Sequence, residues 1–198
     1  MKKVDPVKHR AKREHILNAA AGLFATRGFD GTSTAEICKA ADMSSGNLFH
    51  YFSSKREIFV ALLTYDEGAT EARFAEAVRD DDPWGALLGF LDHLVAPAAE
   101  PNVPNLVLEA MLQGYRDAEL AQRLDTDAVN EQAWVATLLA RAADAGHIDA
   151  DLDRQDTAGW LMALVGSLYL RAATEPGFDV TAGHTGWRTI VTRYLRAG

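Results

Sequence analysis

Asn47 and His50 stand three residues apart in the run Ser44-Ser45-Gly46-Asn47-Leu48-Phe49-His50-Tyr51-Phe52, a spacing that puts both on one face of a helical turn. An amide and an imidazole there can donate to or accept from the edges of nucleic-acid bases. Ser45 adds a hydroxyl beside them, and the Phe49 ring can press on a thymine methyl. Gly46, without a side chain, lets a partner backbone come close. Ser44, Thr34 and Lys55 each fall near an expected helix start, where free N–H groups and the positive end of the dipole attract phosphate.

Other chemistry finds less support. The six histidines form no ligand pair at helical spacing beyond Asp92-His93 and His147 near Asp149, and solvated surface accounts for both. One cysteine, Cys38, allows no intramolecular disulfide and no cysteine metal pattern, so no metal site is expected and the reducing cytoplasm is the natural compartment. Phosphate loops, dinucleotide fingerprints and nucleophile–base–orienter sets are missing, so catalytic residues and cofactors are not expected. Met1-Lys2-Lys3-Val4-Asp5-Pro6 has no apolar run behind it and is not a secretory signal. The charge-free stretch Thr157–Leu170 falls short of the roughly 20 residues that span a bilayer, so no membrane partner is expected.

The 198 residues carry a net charge of −8, which by itself argues against a nucleic-acid partner. The distribution reverses that inference. Residues 1–60 hold ten Lys and Arg against six Asp and Glu, a balance of +4, while the rest hold ten against 22, a balance of −12. A basic end joined to an acidic body fits a chain that meets an anionic polymer at one end.

The elements that position these residues are helices, because apolar residues recur at helical spacing and no stretch alternates at strand period. The first helix is expected from Asp5-Pro6 to Arg27, with the stripe Ile16, Ala20, Leu23 and Phe24 and a left-handed cap at Gly28. Ser33-Thr34-Ala35-Glu36 is a capping box that opens a second helix to about Ala41. Asp42-Met43 form a turn, and Ser44 caps a third helix ending near Phe52. Ser53-Ser54 open a long fourth helix to about Arg79. Further helices are expected near 83–95, 104–114, 118–145, 154–173 and 183–196.

Counted from Thr34, a steeply crossed helix pair wants apolar residues at its fourth, eighth, tenth, fifteenth and eighteenth places. Ile37, Ala41, Met43, Leu48 and Tyr51 supply them. The fifth place, where the helices touch, must be small and is Cys38. The ninth, at the turn, favours positive φ and is Asp42, which tolerates that region better than most residues. Such a unit lays its second helix in the major groove. Taken alone, the pattern leaves a duplex reader and an ordinary capped helix pair both open.

Arg13 through Leu62 resembles the DNA-binding domain of the tetracycline-repressor (TetR) family. The matching phrases are Ile16-Leu17-Asn18-Ala19-Ala20, Leu23-Phe24-Ala25-Thr26-Arg27-Gly28-Phe29, Gly31-Thr32-Ser33, Glu36-Ile37, and above all Ser44 through Phe52 with Ser54-Lys55. The resemblance implies an all-α protein of about nine helices. An N-terminal three-helix helix-turn-helix domain (residues 1–54, connecting helix about 55–79) would precede a C-terminal ligand-binding and dimerisation domain (80–198). It implies a homodimer joined by the last two long helices as a four-helix bundle, a palindromic DNA operator, and a repressor released by a small-molecule effector. By position, Ser45, Gly46, Asn47, Phe49 and His50 would face bases, while Thr34, Ser44, Tyr51 and Lys55 would contact phosphates. Three positions depart from the family's commonest pattern: Asp42 for glycine, Phe49 for tyrosine, and Ser45 for a basic residue.

In the C-terminal part, large side chains on the middle helices point to a largely apolar or aromatic effector, with Trp84, Leu88, Leu91, Leu106, Met111, Tyr115, Trp134 and Trp160 as its expected wall. The broad apolar faces of the last two helices assign Leu161, Leu164, Leu168, Trp187, Val191 and Tyr194 to the dimer interface. A small-molecule-binding or interaction protein on the same scaffold, without specific DNA binding, is the alternative.

Overall fold

The computed structural model describes residues 6–64 and 67–196. These residues form ten α-helices and one 3₁₀ turn: α1 Pro6–Arg27, α2 Thr34–Ala40, α3 Ser45–Tyr51, α4 Lys55–Leu63, α5 Glu67–Ala77, α6 Pro83–Val95, the 3₁₀ turn Ala96–Ala99, α7 Val103–Gly114, α8 Ala118–Asp144, α9 Arg154–Thr174 and α10 Val180–Leu195. The all-α class is as expected. Asp5, the expected cap of the first helix, lies outside the described residues.

Local chemistry sets most of the ends. Gly28 and Gly146 close α1 and α8 at φ 71° and 72°, a region that L side chains avoid. Side chains of Ser33, Ser44, Ser54, Asp82, Asp117, Asp153 and Asp179 each accept from a free N–H in the first turn of the helix that follows. The last helix begins at Val180, three residues before the expected 183, because Asp179 supplies that cap.

The connecting helix expected over 55–79 is instead two helices. Thr64 caps α4, its N–H donating to the Val60 carbonyl, and α5 starts at Glu67. The division follows the two cores. Ile58 and Phe59 of α4 are buried with Ile16, Leu17, Ala20 and Phe24 of α1, whereas Ala77 of α5 is buried with Leu87, Phe90 and Leu91 of α6.

The boundary between the two parts is not a clean cut. Leu106 and Ala110 of α7 and Leu120 of α8 belong to the N-terminal core, packed with α1 and α4. The second core joins α6, α8, α9 and α10 around Val135, Leu138, Leu139, Leu161, Val191 and Leu195.

Candidate nucleic-acid interface

The capping box at Ser33 is complete. The Glu36 N–H donates to the Ser33 hydroxyl at 3.2 Å, and the Ser33 N–H donates to the Glu36 carboxylate at 2.9 Å. That backbone N–H, with Ser33's hydroxyl and then Arg27 adding to it, holds the Glu36 carboxyl below the usual range. Cys38 is buried at the crossing, and the Met43 N–H donates to its carbonyl at 3.0 Å. Asp42 makes the turn at φ 48°, in the left-handed region expected of it. Ile37, Ala41 and Leu48 are buried as the pattern requires, while Met43 and Tyr51 are half-buried and the neighbouring Phe52 is buried.

The outward face of α3 consists of Ser45, Gly46, Asn47, Phe49 and His50, all exposed, with Leu48 as the inward anchor. Phe49 leaves 49% of its surface in solvent, a large apolar area that no described residue covers. A β-carbon built on Gly46 would meet nothing within 4 Å. Packing therefore does not require glycine there.

The four residues expected at phosphates differ in their engagement. Ser44 already accepts from the Asn47 N–H at 3.3 Å, and Thr34 opens α2 half-buried. The Tyr51 carbonyl accepts from Arg13 at 2.6 Å, and its ring lies 5.0 Å from the His9 ring. Lys55 is drawn inward. Its ammonium donates to the Phe29 carbonyl at 2.6 Å and the Thr32 carbonyl at 2.8 Å, and it sits 4.2 Å over the Phe29 ring. One donor of three is left for anything else.

Polar contacts fasten this unit to the body. The Phe29 N–H donates to Glu109 of α7 at 2.8 Å. Arg56, in the first turn of α4, pairs with Asp117 and Glu119 at the start of α8. Arg116 reaches Asp30 at 2.7 Å. Sequence spacing carries no signal for these pairs, because each joins residues at least 61 positions apart.

The structure does not gather the eight residues expected around an effector. Leu88 and Leu91 are buried in the second core, with Trp84 and Trp134 packed against it, but Leu106 lies in the N-terminal core. Met111, Tyr115 and Trp160 face solvent in the single chain, Tyr115 with 91% of its surface exposed. The reason is the orientation of α7, which spends its Leu106–Ala110 face on α1.

The dimer assignment needs a similar correction. Leu161, Leu168, Trp187 and Val191 are buried inside the chain, because α9 packs on α6, α7 and α8 while α10 packs on α9 and the 3₁₀ turn. Leu164 is half-buried and Tyr194 is exposed. The outer faces of these helices carry Trp160, Leu170, Ile190 and Tyr194 instead.

A polar group that the sequence did not single out lies within the body. Glu131 of α8 is half-buried, and the desolvation there, with Asp127 one turn away, pushes its carboxyl up to about 7. Burial raises the nearby Tyr169 phenol as well, with Glu131's charge adding to it, and the hydroxyl donates to the Leu94 carbonyl at 2.8 Å. Among the described residues no group of three or more His, Cys, Asp or Glu is placed to hold a metal ion, and no helix is long and apolar enough to cross a membrane.

Residues 16–62 match the model of the bacterial regulatory proteins of the tetR family. The HTH-type transcriptional regulator UidR of Escherichia coli is 29% identical over 157 residues, covering 77% of this chain and 76% of UidR. The HTH-type transcriptional repressor AcnR of Corynebacterium efficiens is 29% identical over 163 residues, 82% of each chain. The solved structure of Salmonella enterica GusR superposes with a TM-score of 0.72 at 29% identity, covering 98% of this chain and 99% of GusR.

Proposed function

Because residues 16–62 match the tetR family model and the relatives are similar along most of the chain, we propose that it is a repressor that binds a palindromic operator as a homodimer and leaves it when a small molecule binds the body. One observation carries the reading. α3 is anchored by Leu48 and turns Ser45, Gly46, Asn47, Phe49 and His50 outward, on a framework fixed by α1, α2 and α4. Those five residues read base edges, Asn47 and His50 by hydrogen bonds and Phe49 by apolar contact. Thr34, Ser44, Tyr51 and Lys55 flank them toward the phosphates. Here Lys55 serves first as an internal tie and only through its remaining donor as a contact.

Two copies would present two such helices to successive major grooves, roughly 34–36 Å apart. The exposed apolar residues Trp160, Leu170, Ile190 and Tyr194 make the joining face, with Ala163, Gly166 and Gly186 permitting close approach. The effector acts by favouring one of two separations of the reading helices, which requires different affinities for the two states. Arg56–Asp117 and Phe29–Glu109 are the contacts through which a shift of α7 or α8 reaches α1 and α4.

Fluorescence anisotropy against the inverted repeat flanking the protein's own gene and against random duplex tests the reading. Preference for the repeat is expected, and Asn47→Ala should reduce it by about 1–3 kcal/mol. Equal affinity for both duplexes in the unmodified protein would refute sequence-specific binding and favour an interaction protein on the same scaffold.

A further inference from the structure

Beside α3, where it meets α1, lies an open cleft of about 750 Å³. Its walls include His9, Arg10, Arg13 and Glu14 of α1, His50 of α3, and the far end of α4. The His9 and His50 rings meet edge-on with centroids 6.4 Å apart. Arg13 is held in place by the Tyr51 carbonyl, by the Phe52 ring 4.0 Å beneath its guanidinium, and by Glu57 at 3.8 Å. Arg10 donates to Glu14 at 3.0 Å.

Among the described residues the wall carries two guanidinium groups against one carboxylate, with Glu57 behind Arg13, and both imidazoles can donate N–H bonds. Lys8 and Lys12 are exposed on the same helix. His50 belongs both to this cleft and to the outward face of α3, so whatever lies along that face passes the cleft mouth. An anionic group with several acceptor oxygens matches the donors.

We propose that this cleft holds a backbone phosphate of the duplex that α3 reads, with His9 and Arg10 as its donors. The proposal rests on the duplex-binding reading above and extends the interface to α1. Such a contact carries no sequence information. It sets the register of α3 on the duplex and adds to salt-dependent affinity.

Anisotropy titrations with a random-sequence duplex over a range of NaCl concentrations test it, using the full chain and the variants Arg10→Gln and His9→Lys. Arg10→Gln should flatten the log–log salt slope by about 0.9, the value of one phosphate contact. His9→Lys should steepen it, so the two variants move in opposite directions and a folding defect cannot mimic both. A steep slope in the unmodified protein that neither α1 variant alters would overturn the proposal and leave duplex binding intact. A flat slope in the unmodified protein would instead remove the duplex reading, and this cleft's role with it.

Discussion

Arg56 grips Asp117 through two N–H···O bonds, Nε at 2.6 Å and Nη2 at 3.1 Å, and so ties the first turn of α4 to the N-cap of α8. That pairing, with the Leu120 N–H behind it, holds the Asp117 carboxyl down to about 2. The folded protein therefore binds fewer protons there than the unfolded chain, whose aspartate titrates near 3.9. The stabilisation is present in full above about pH 4 and is lost as pH falls toward 2. Asp117→Asn should lower the melting temperature by a constant amount above that window and by a shrinking amount within it. A gap between the two proteins that stays constant through the acid range would mean the ion pair adds no stability.

Glu131 has the opposite sign. Its folded pKa of about 7 lies above that of an unfolded glutamate, so the folded state keeps a proton that the unfolded chain has released. Stability then declines as pH rises from about 4.5 to 7 and is level beyond. Glu131→Gln should stabilise the protein by up to about 3 kcal/mol above neutrality and by little near pH 4.5. Urea unfolding at both ends of that range measures it, and an equal effect at both would show that the carboxyl is not held neutral.

At Gly46 the fold and the interface should respond in opposite ways. Open space surrounds the position, so Gly46→Ala fits the helix and should stabilise it by up to about 1 kcal/mol. On the duplex the added methyl stands where a backbone must come close, so affinity should drop. A variant that melts higher and still binds as well as the parent would show that α3 does not approach DNA there.

Lys55→Ala should act on folding more than its position at a helix start implies. It leaves the Phe29 and Thr32 carbonyls without their donor and strips the Phe29 ring of its cation. A loss of about 1–3 kcal/mol in chemical denaturation is expected. If stability is unchanged and only duplex affinity falls, the ammonium spends its time outward.

Ile190→Glu places a charge on the outer face of α10. If that face joins two copies, light scattering should show monomer at concentrations where the parent is a dimer, and affinity for an inverted repeat should fall while a half-site is still bound. A variant that remains dimeric would move the interface elsewhere.

The N-terminal unit was largely legible in the sequence. Its caps, turn and inward residues are encoded within a few positions of one another, so Ser33, Asp42, Ser44 and Leu48 announce their roles locally. What lay beyond reach was anything decided by which helix meets which. The breadth of the apolar stripe on α9 and α10 could not say which part faces the body and which faces outward. Leu106 read as pocket wall because nothing nearby in the sequence reveals that α7 leans on α1. Nothing close to Arg56, Asp117 or Glu109 in the sequence marks the distant partners that the fold brings to them.

The N-terminal core borrows Leu106, Ala110 and Leu120 from α7 and α8, which begin 40 and 55 residues after α4 ends. The reading head is therefore not a detachable module. An excised fragment ending before Val103 would expose the side of α1 that those residues cover, and transplanting the head onto another regulator would require a body that supplies the same apolar seat.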